Sequence, residues 1–186
     1  MQTYLNFTYN KYKMTYFYNY LSPLGKLLIA TTKDSLVGIW FDGQKYFPDN
    51  IPSEATDEIL PIFTQTKLWL DIYFGGKQPS FTPPLSLCAA TPFRQAVWQK
   101  LLQIPYGKTA TYGEIAKALQ AETDKRVSAQ AVGGAIGHNP ISIVVPCHRV
   151  VGADGSLTGY AGGIDKKLAL LTLEKADICF QTTHTV

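Results

Sequence analysis

Pro146-Cys147-His148-Arg149 places a thiol, an imidazole and a guanidinium in succession, between Ile143-Val144-Val145 and Val150-Val151. A cysteine attacks as its thiolate, and a neighbouring imidazole or cation favours that form, so the triplet has the composition of an activated nucleophile. Adjacent residues of a regular strand point to opposite faces, so His148 reaches the sulfur only through a turn or a bridging water. Pro146 has no N–H to give to a sheet; it ends the strand expected over Ile141 to Val145 and fixes the backbone before the thiol. Cys88 and Cys179 lack such company and default to structural or surface thiols. The three cysteines form no CxxC pair, which argues against a disulfide framework and a cysteine-rich zinc site.

The elements that would hold this stretch fall into two groups. From Thr15 to Phe41 three β-rich runs are split by Ser22-Pro23-Leu24-Gly25 and Lys33-Asp34-Ser35, the pattern of an antiparallel meander. Ala55 to Phe74 carries Ile59, Ile62, Phe63, Leu70 and Phe74 near helical spacing and stops at Gly75-Gly76, so a helix is expected to pack on the sheet. The proline-rich stretch that follows reads as an extended connection, with a domain boundary near Leu87 to Thr91. This gives an N-terminal α/β domain over 1–88, of which 1–13 is an extension without assigned function, and a C-terminal domain over 89–186.

In the second group, Pro92 opens a helix with Phe93, Val97, Leu101 and Ile104 on one face, closing at Pro105-Tyr106-Gly107. Thr111 and Glu114 have capping-box spacing ahead of Ile115, Ala116 and Leu119. A polar connector leads to a short helix rich in alanine and glycine, stopped by Gly137 and Asn139-Pro140, and the pair reads as a helix-turn-helix. Gly133 and Gly134 each cost about 1 kcal/mol relative to alanine inside a helix. Two features would offset that: close helix–helix packing, or a bare face pressed against a sugar–phosphate wall. The fold class is therefore α/β, a small sheet-plus-helix domain followed by a mainly helical, winged-helix-like domain.

The chain has 186 residues, 46% of them hydrophobic, enough for one good core or two small ones. The longest apolar stretches fall far short of the ~20 residues of a membrane-spanning helix, and nothing at the start reads as a signal peptide, so a cytoplasmic protein with no membrane partner is expected. Seventeen Lys and Arg against 14 Asp and Glu give +3, a mild excess that permits nucleic-acid binding without establishing it. Six tyrosines fall in the first twenty residues, and the sequence assigns them no function.

The run "NPISIVVPCHRVVG" closely resembles the active-site signature of the O6-alkylguanine-DNA alkyltransferases, the methylated-DNA–protein-cysteine methyltransferases. The likeness extends through "PFRQAVWQKLLQIPYGKTATYGEIA", "SAQAVGGAIGHNP" and "GSLTGYAGGIDKKLALLTLE", about Pro92 to Glu174, while only "SPLGKLLIA" is suggestive in the first domain. The resemblance implies that Cys147 accepts the alkyl group, that His148 is the base acting through water, and that Glu174 orients it. Asn139 would brace the turn around the cysteine, and Tyr112 would donate a proton or hydrogen bond to the flipped guanine. Val150, Tyr160 and Ala161 would line the base pocket; the family often has serine where Ala161 stands, but the contact there uses backbone N–H. The DNA-facing set is Thr111, Arg126, Ala129, Gln130 and Gly133. Many members have an arginine where this chain has the uncharged Gln130, so Arg126 or Lys125 is expected to supply that charge.

A soft thiolate suits displacement at an alkyl carbon, and the target base must leave the stack at a cost of a few kcal/mol. The thioether product has no easy hydrolytic exit, so each molecule reacts once. The expected partner is double-stranded DNA with alkylated bases, entered from the minor groove by a monomer, with O4-alkylthymine as a second candidate substrate. No cofactor and no metal is expected: some members carry zinc in the smaller domain, but here no cysteine precedes Cys88 and no histidine precedes His138. His138 reads as an exposed loop residue and His184 as part of a polar tail. The rival readings are a non-catalytic binder of alkylated DNA, which Cys147 opposes, a Cys-His-Glu thiol hydrolase, which lacks a recognisable acyl-binding loop, and a transcriptional regulator, which lacks an effector domain.

Overall fold

The computed structural model describes residues 15–48, 59–87 and 90–177. The extension 1–13, Cys88, Cys179 and His184 lie outside them. The chain divides into two compact units, Met1–Thr91 and Pro92–Val186.

In the first unit, β1 (Tyr16–Ser22), β2 (Gly25–Thr31) and β3 (Leu36–Phe41) form the expected antiparallel meander, in the order β1-β2-β3. The two-residue period of β1 points Tyr16, Tyr18 and Tyr20 inward, where α1 (Pro61–Phe74) covers them. Tyr18 stacks on Phe63 with ring centroids 4.0 Å apart, and the Tyr20 hydroxyl donates to Asp71 at 2.8 Å. Helix α1 is shorter than its apolar pattern predicts. The expected start at Ala55 lies outside the described residues, Ile59 is exposed and non-helical, and Pro61 sits at the first turn, where its missing N–H costs nothing. Its buried face is Ile62, Thr66, Trp69, Leu70 and Tyr73.

The opposite face of the sheet is buried as well. Leu28, Ala30 and Trp40 form a second cluster with Phe17, Val37 and Phe47 against it. Gly38 is required there, because an added Cβ would lie 1.8 Å from the Trp40 ring. The proline-rich connection is extended and pairs with the start of β3 through Leu36 N–H to Pro84 and Ser86 N–H to Leu36.

The second unit is built on α2 (Pro92–Leu102), α3 (Tyr112–Thr123) and α4 (Ala129–Gly137), packed on one another. Val97, Trp98 and Leu101 form the buried face of α2, whereas Phe93 remains exposed; the Trp98 indole N–H donates to the Ala135 carbonyl of α4. The capping box forms: the Glu114 N–H donates to the Thr111 hydroxyl, and the Thr111 N–H donates to the Glu114 carboxylate at 2.7 Å. Helices α3 and α4 make the helix-turn-helix. A two-residue strand, β4 (Ala110–Thr111), pairs in parallel with β5 (Val150–Val151), and α5 (Ile164–Leu173) packs on the turn that precedes β5. Among the described residues no helix is long and apolar enough to cross a membrane.

Candidate active site

The segment Ile141 to Val145 is not the strand that its β-branched residues predict. It folds into successive turns, with the Val145 N–H donating to the Ile141 carbonyl and Ile143 at φ 72, a left-handed conformation rare for a β-branched side chain. Asn139 organises this backbone. Its Oδ1 accepts from the Ile141 N–H at 3.0 Å, and its Nδ2 donates to the carbonyls of Ile141 and Val145 and, at 3.1 Å, to the Cys147 sulfur. Local hydrogen bonds to one amide side chain thus outweigh strand propensity. Pro146 then leads into a single 3-10 turn, Cys147–Arg149, which breaks the alternation of a strand.

The Cys147 thiol is buried, and burial raises its pKa above the ordinary value. Opposing that rise are the Asn139 amide, the Lys167 charge and the N–H groups of Cys147 and His148, all favouring the thiolate. The resting sulfur is therefore a protonated thiol in a setting prepared for its anion.

His148 and Glu174 are both buried, with His148 Nε2 2.7 Å from Glu174 Oε1. Burial would raise the Glu174 carboxyl, but hydrogen bonds from His148 and Arg149 and the cationic charge beside it outweigh that and hold it well below the usual carboxylate range. Burial lowers the His148 pKa, against the hydrogen bond and charge of Glu174, and the charges of Arg149 and Lys167 lower it further. The imidazole is neutral. A carboxylate only accepts, so the ring proton sits on Nε2 and Nδ1 is the basic nitrogen.

Arg149 does not serve the thiol as the bare triplet implies. Its Nε and Nη2 fork onto Glu174 at 2.8 and 3.0 Å, and its Nη1 donates to the Ile104 carbonyl at 2.7 Å. Its guanidinium lies 5.7 Å from the centre of the Tyr106 ring. Gly107, at φ 71, donates its N–H to Glu174 Oε2 at 3.0 Å, and an added Cβ would lie 2.9 Å from the Glu174 carbonyl oxygen. Arg149 is the countercharge of Glu174, which leaves His148 free to be neutral.

The cation that acts on Cys147 is Lys167, fully buried, with its ammonium donating to the carbonyls of Val150 at 2.5 Å and Thr158 at 2.7 Å. Burial pulls its pKa down to about 8, with the Cys147 charge opposing. Lys167, Leu170, Leu171 and Glu174 fall at helical spacing on one buried stripe. Two charged residues in an apolar stripe are the signal in the sequence that both carry their polar groups into a buried site.

Tyr112, at the start of α3, donates its hydroxyl to the Thr158 carbonyl at 3.1 Å. Burial raises its pKa, and the Cys147 charge adds to the rise. Burial likewise raises Tyr160 well above its ordinary value, with the Cys147 charge adding, against a hydrogen bond with Ser142. Val150 is buried, while Ala161 is half-buried on the loop after Tyr160.

Hydrogen bonds thus join Asn139 to Cys147 and His148 to Glu174. Thr111 instead serves the helix cap, and Arg126, Ala129 and Gln130 lie exposed in the connector and at the start of α4, as does Lys125. His138 is half-buried, not exposed, and its Nδ1 lies 2.8 Å from the Gly134 carbonyl. Close packing does not explain the glycine pair. A Cβ on Gly133 would make ordinary contact with the Tyr112 ring at 3.7 Å, and one on Gly134 would meet nothing within 4 Å.

Residues 15–87 match the 6-O-methylguanine DNA methyltransferase ribonuclease-like domain, and residues 92–176 match the DNA-binding domain of the same family. The chain belongs to the 6-O-methylguanine DNA methyltransferase family. The methylated-DNA–protein-cysteine methyltransferase of Haemophilus influenzae is 42% identical over 86% of this chain and 86% of its own length. The Mycobacterium leprae protein of the same name is also 42% identical, over 87% and 93%. Among solved structures, Mycobacterium tuberculosis OGT in complex with DNA superposes with a TM-score of 0.71 at 42% identity, covering 86% of this chain and 92% of that one. This methyltransferase-family fold agrees with the expected class of a small sheet domain followed by a helical one.

Proposed function

We propose that this chain is a methylated-DNA–protein-cysteine methyltransferase that repairs double-stranded DNA by direct reversal, moving the alkyl group of O6-alkylguanine irreversibly onto Cys147. The observation that carries the reading is a pair of hydrogen-bonded units on one 3-10 turn: a thiol held by Asn139, and the next residue's neutral imidazole, whose Nε2 is tied to an ionised Glu174. The Cys147 proton passes toward His148 Nδ1 through water, the S–C bond forms as the C–O6 bond breaks, and the Tyr112 hydroxyl protonates the departing guanine. Lys167 and the N–H groups around the sulfur stabilise the thiolate as it forms. Val150, Tyr160 and Ala161 line the pocket that receives the extruded base.

Helix α4 enters the minor groove. Its outward face begins with Ala129, Gln130 and Ala131 and continues to Gly134, so little side chain separates its backbone from the duplex. Gln130 occupies the space of the extruded base by hydrogen bonding, with the exposed Lys125 and Arg126 supplying phosphate contacts that weaken as salt rises. The protein acts as a monomer, since nucleophile, base and carboxylate come from one compact unit. It acts in the cytoplasm, where its free thiol stays reduced.

The test is a titration of duplex containing O6-methylguanine. Repair stops at one lesion per protein molecule; continued turnover, or tight binding with the lesion intact, overturns the reading.

A further inference from the structure

The Thr158 carbonyl oxygen accepts two hydrogen bonds, from the Tyr112 hydroxyl at 3.1 Å and from the buried Lys167 ammonium at 2.7 Å. A carbonyl oxygen has two lone pairs, so both are in use. The two donors differ in freedom. Lys167 is fully buried and also grips the Val150 carbonyl, directly after the Cys147 turn, so it ties the loop to the nucleophile. Tyr112 is half-buried, with its ring against Gly133 of α4 on one side and its hydroxyl over Thr158 and Gly159 on the other. Gly159 has φ 52, so the backbone turns directly beneath that hydroxyl.

Tyr112 thus bridges the helix assigned to DNA and the loop assigned to the base, with its hydroxyl already committed to a protein acceptor. To donate to an extruded guanine it must leave Thr158. A carbonyl abandoned by its sole donor would oppose that departure, whereas one still held by a charged donor does not.

We propose that the Thr158 carbonyl is the resting acceptor of the Tyr112 hydroxyl, and that Lys167 is a positioning residue that keeps this carbonyl and its loop in place when Tyr112 turns to the base. The proposal rests on the repair reading above. It makes Tyr112 a latch between DNA engagement and the base pocket, released by the base itself.

Two measurements test it. In the first, 3-fluorotyrosine is placed at position 112 of the Cys147→Ser protein, which leaves the lesion intact, and the fluorine resonance is followed. It should move on adding duplex with O6-methylguanine and stay near its free position with undamaged duplex. A resonance unmoved by lesion DNA overturns the latch.

In the second, methyl transfer is timed in a single turnover at saturating DNA. Lys167→Met should slow it about 10- to 100-fold, the loss of a charged hydrogen bond, with DNA affinity within about twofold of the parent. Adding Tyr112→Phe to Lys167→Met should then cost at least about threefold less than Tyr112→Phe alone, because the shared acceptor is already displaced. Strictly multiplicative losses overturn the proposal. If Lys167→Met does not fold, the fluorine measurement decides, since it keeps Lys167. A parent protein that transfers methyl groups while the fluorine signal of its Cys147→Ser form stays still refutes the latch alone; a parent that transfers none refutes the repair reading.

Discussion

Glu174→Gln perturbs the site with almost no change of shape. The carboxylate accepts from His148 Nε2, from Nε and Nη2 of Arg149, and from the Gly107 N–H, all within 3.0 Å. Replacing one oxygen by an amide NH2 sets a donor against one of these donors and leaves the Arg149 guanidinium, only 11% exposed, without its countercharge. Breaking a buried pair by removing one partner costs about 3–5 kcal/mol, a large share of the roughly 5–15 kcal/mol that holds a domain together. Urea unfolding should show the loss as a lower midpoint at an unchanged slope. Removing both charges, Glu174→Gln with Arg149→Met, should recover at least about 1 kcal/mol relative to the sum of the single losses, because no uncompensated charge remains. A Glu174→Gln cost below about 1 kcal/mol, or additive losses in the pair, would refute Arg149 as the countercharge.

Gly134→Ala should stabilise the chain by about 0.5–1 kcal/mol, since an added Cβ meets nothing, yet weaken binding to duplex DNA in a fluorescence-anisotropy titration; unchanged affinity would remove this face from the interface. Gly38→Ala drives a Cβ into the Trp40 ring and should cost about 1–3 kcal/mol, seen in thermal unfolding with an altered tryptophan emission. Transfer should slow as pH falls below the ordinary histidine value of 6.5, because the depressed His148 pKa is reached there and the base is protonated; a rate that rises in acid contradicts this. Stability follows the same direction. The depressed Glu174 contributes stability fully present above its unfolded value near 4.5 and lost as pH drops toward the folded one, so Glu174→Gln should flatten the acid limb of a stability–pH curve.

The meander, the capping box and the helix-turn-helix were legible because each is specified locally, by alternation, by a threonine–glutamate spacing, or by glycine and proline stops. Cys147 was legible from its neighbours. The path of Ile141 to Val145 was not, because strand propensity there yields to Asn139, whose hydrogen bonds no local pattern reveals. The partner of Arg149 was missed for a related reason: adjacency to Cys147 invited an electrostatic role at the thiol, while the 3-10 turn aims the guanidinium at a carboxylate 25 residues away. Lys167 is one of two adjacent lysines, and only its place on the stripe of Leu170, Leu171 and Glu174 marks it, and not Lys166, as buried. The glycine pair was ambiguous until the space around it could be seen.

The central claim is that Cys147 takes the alkyl group and keeps it. Peptide mapping by mass spectrometry after incubation with duplex containing O6-methylguanine tests it most directly. One methyl group on the peptide containing Cys147, equal in amount to the guanine restored and unchanged on prolonged incubation, is the predicted result. A repaired duplex with Cys147 unmodified, or a methyl group on another residue, would contradict the account.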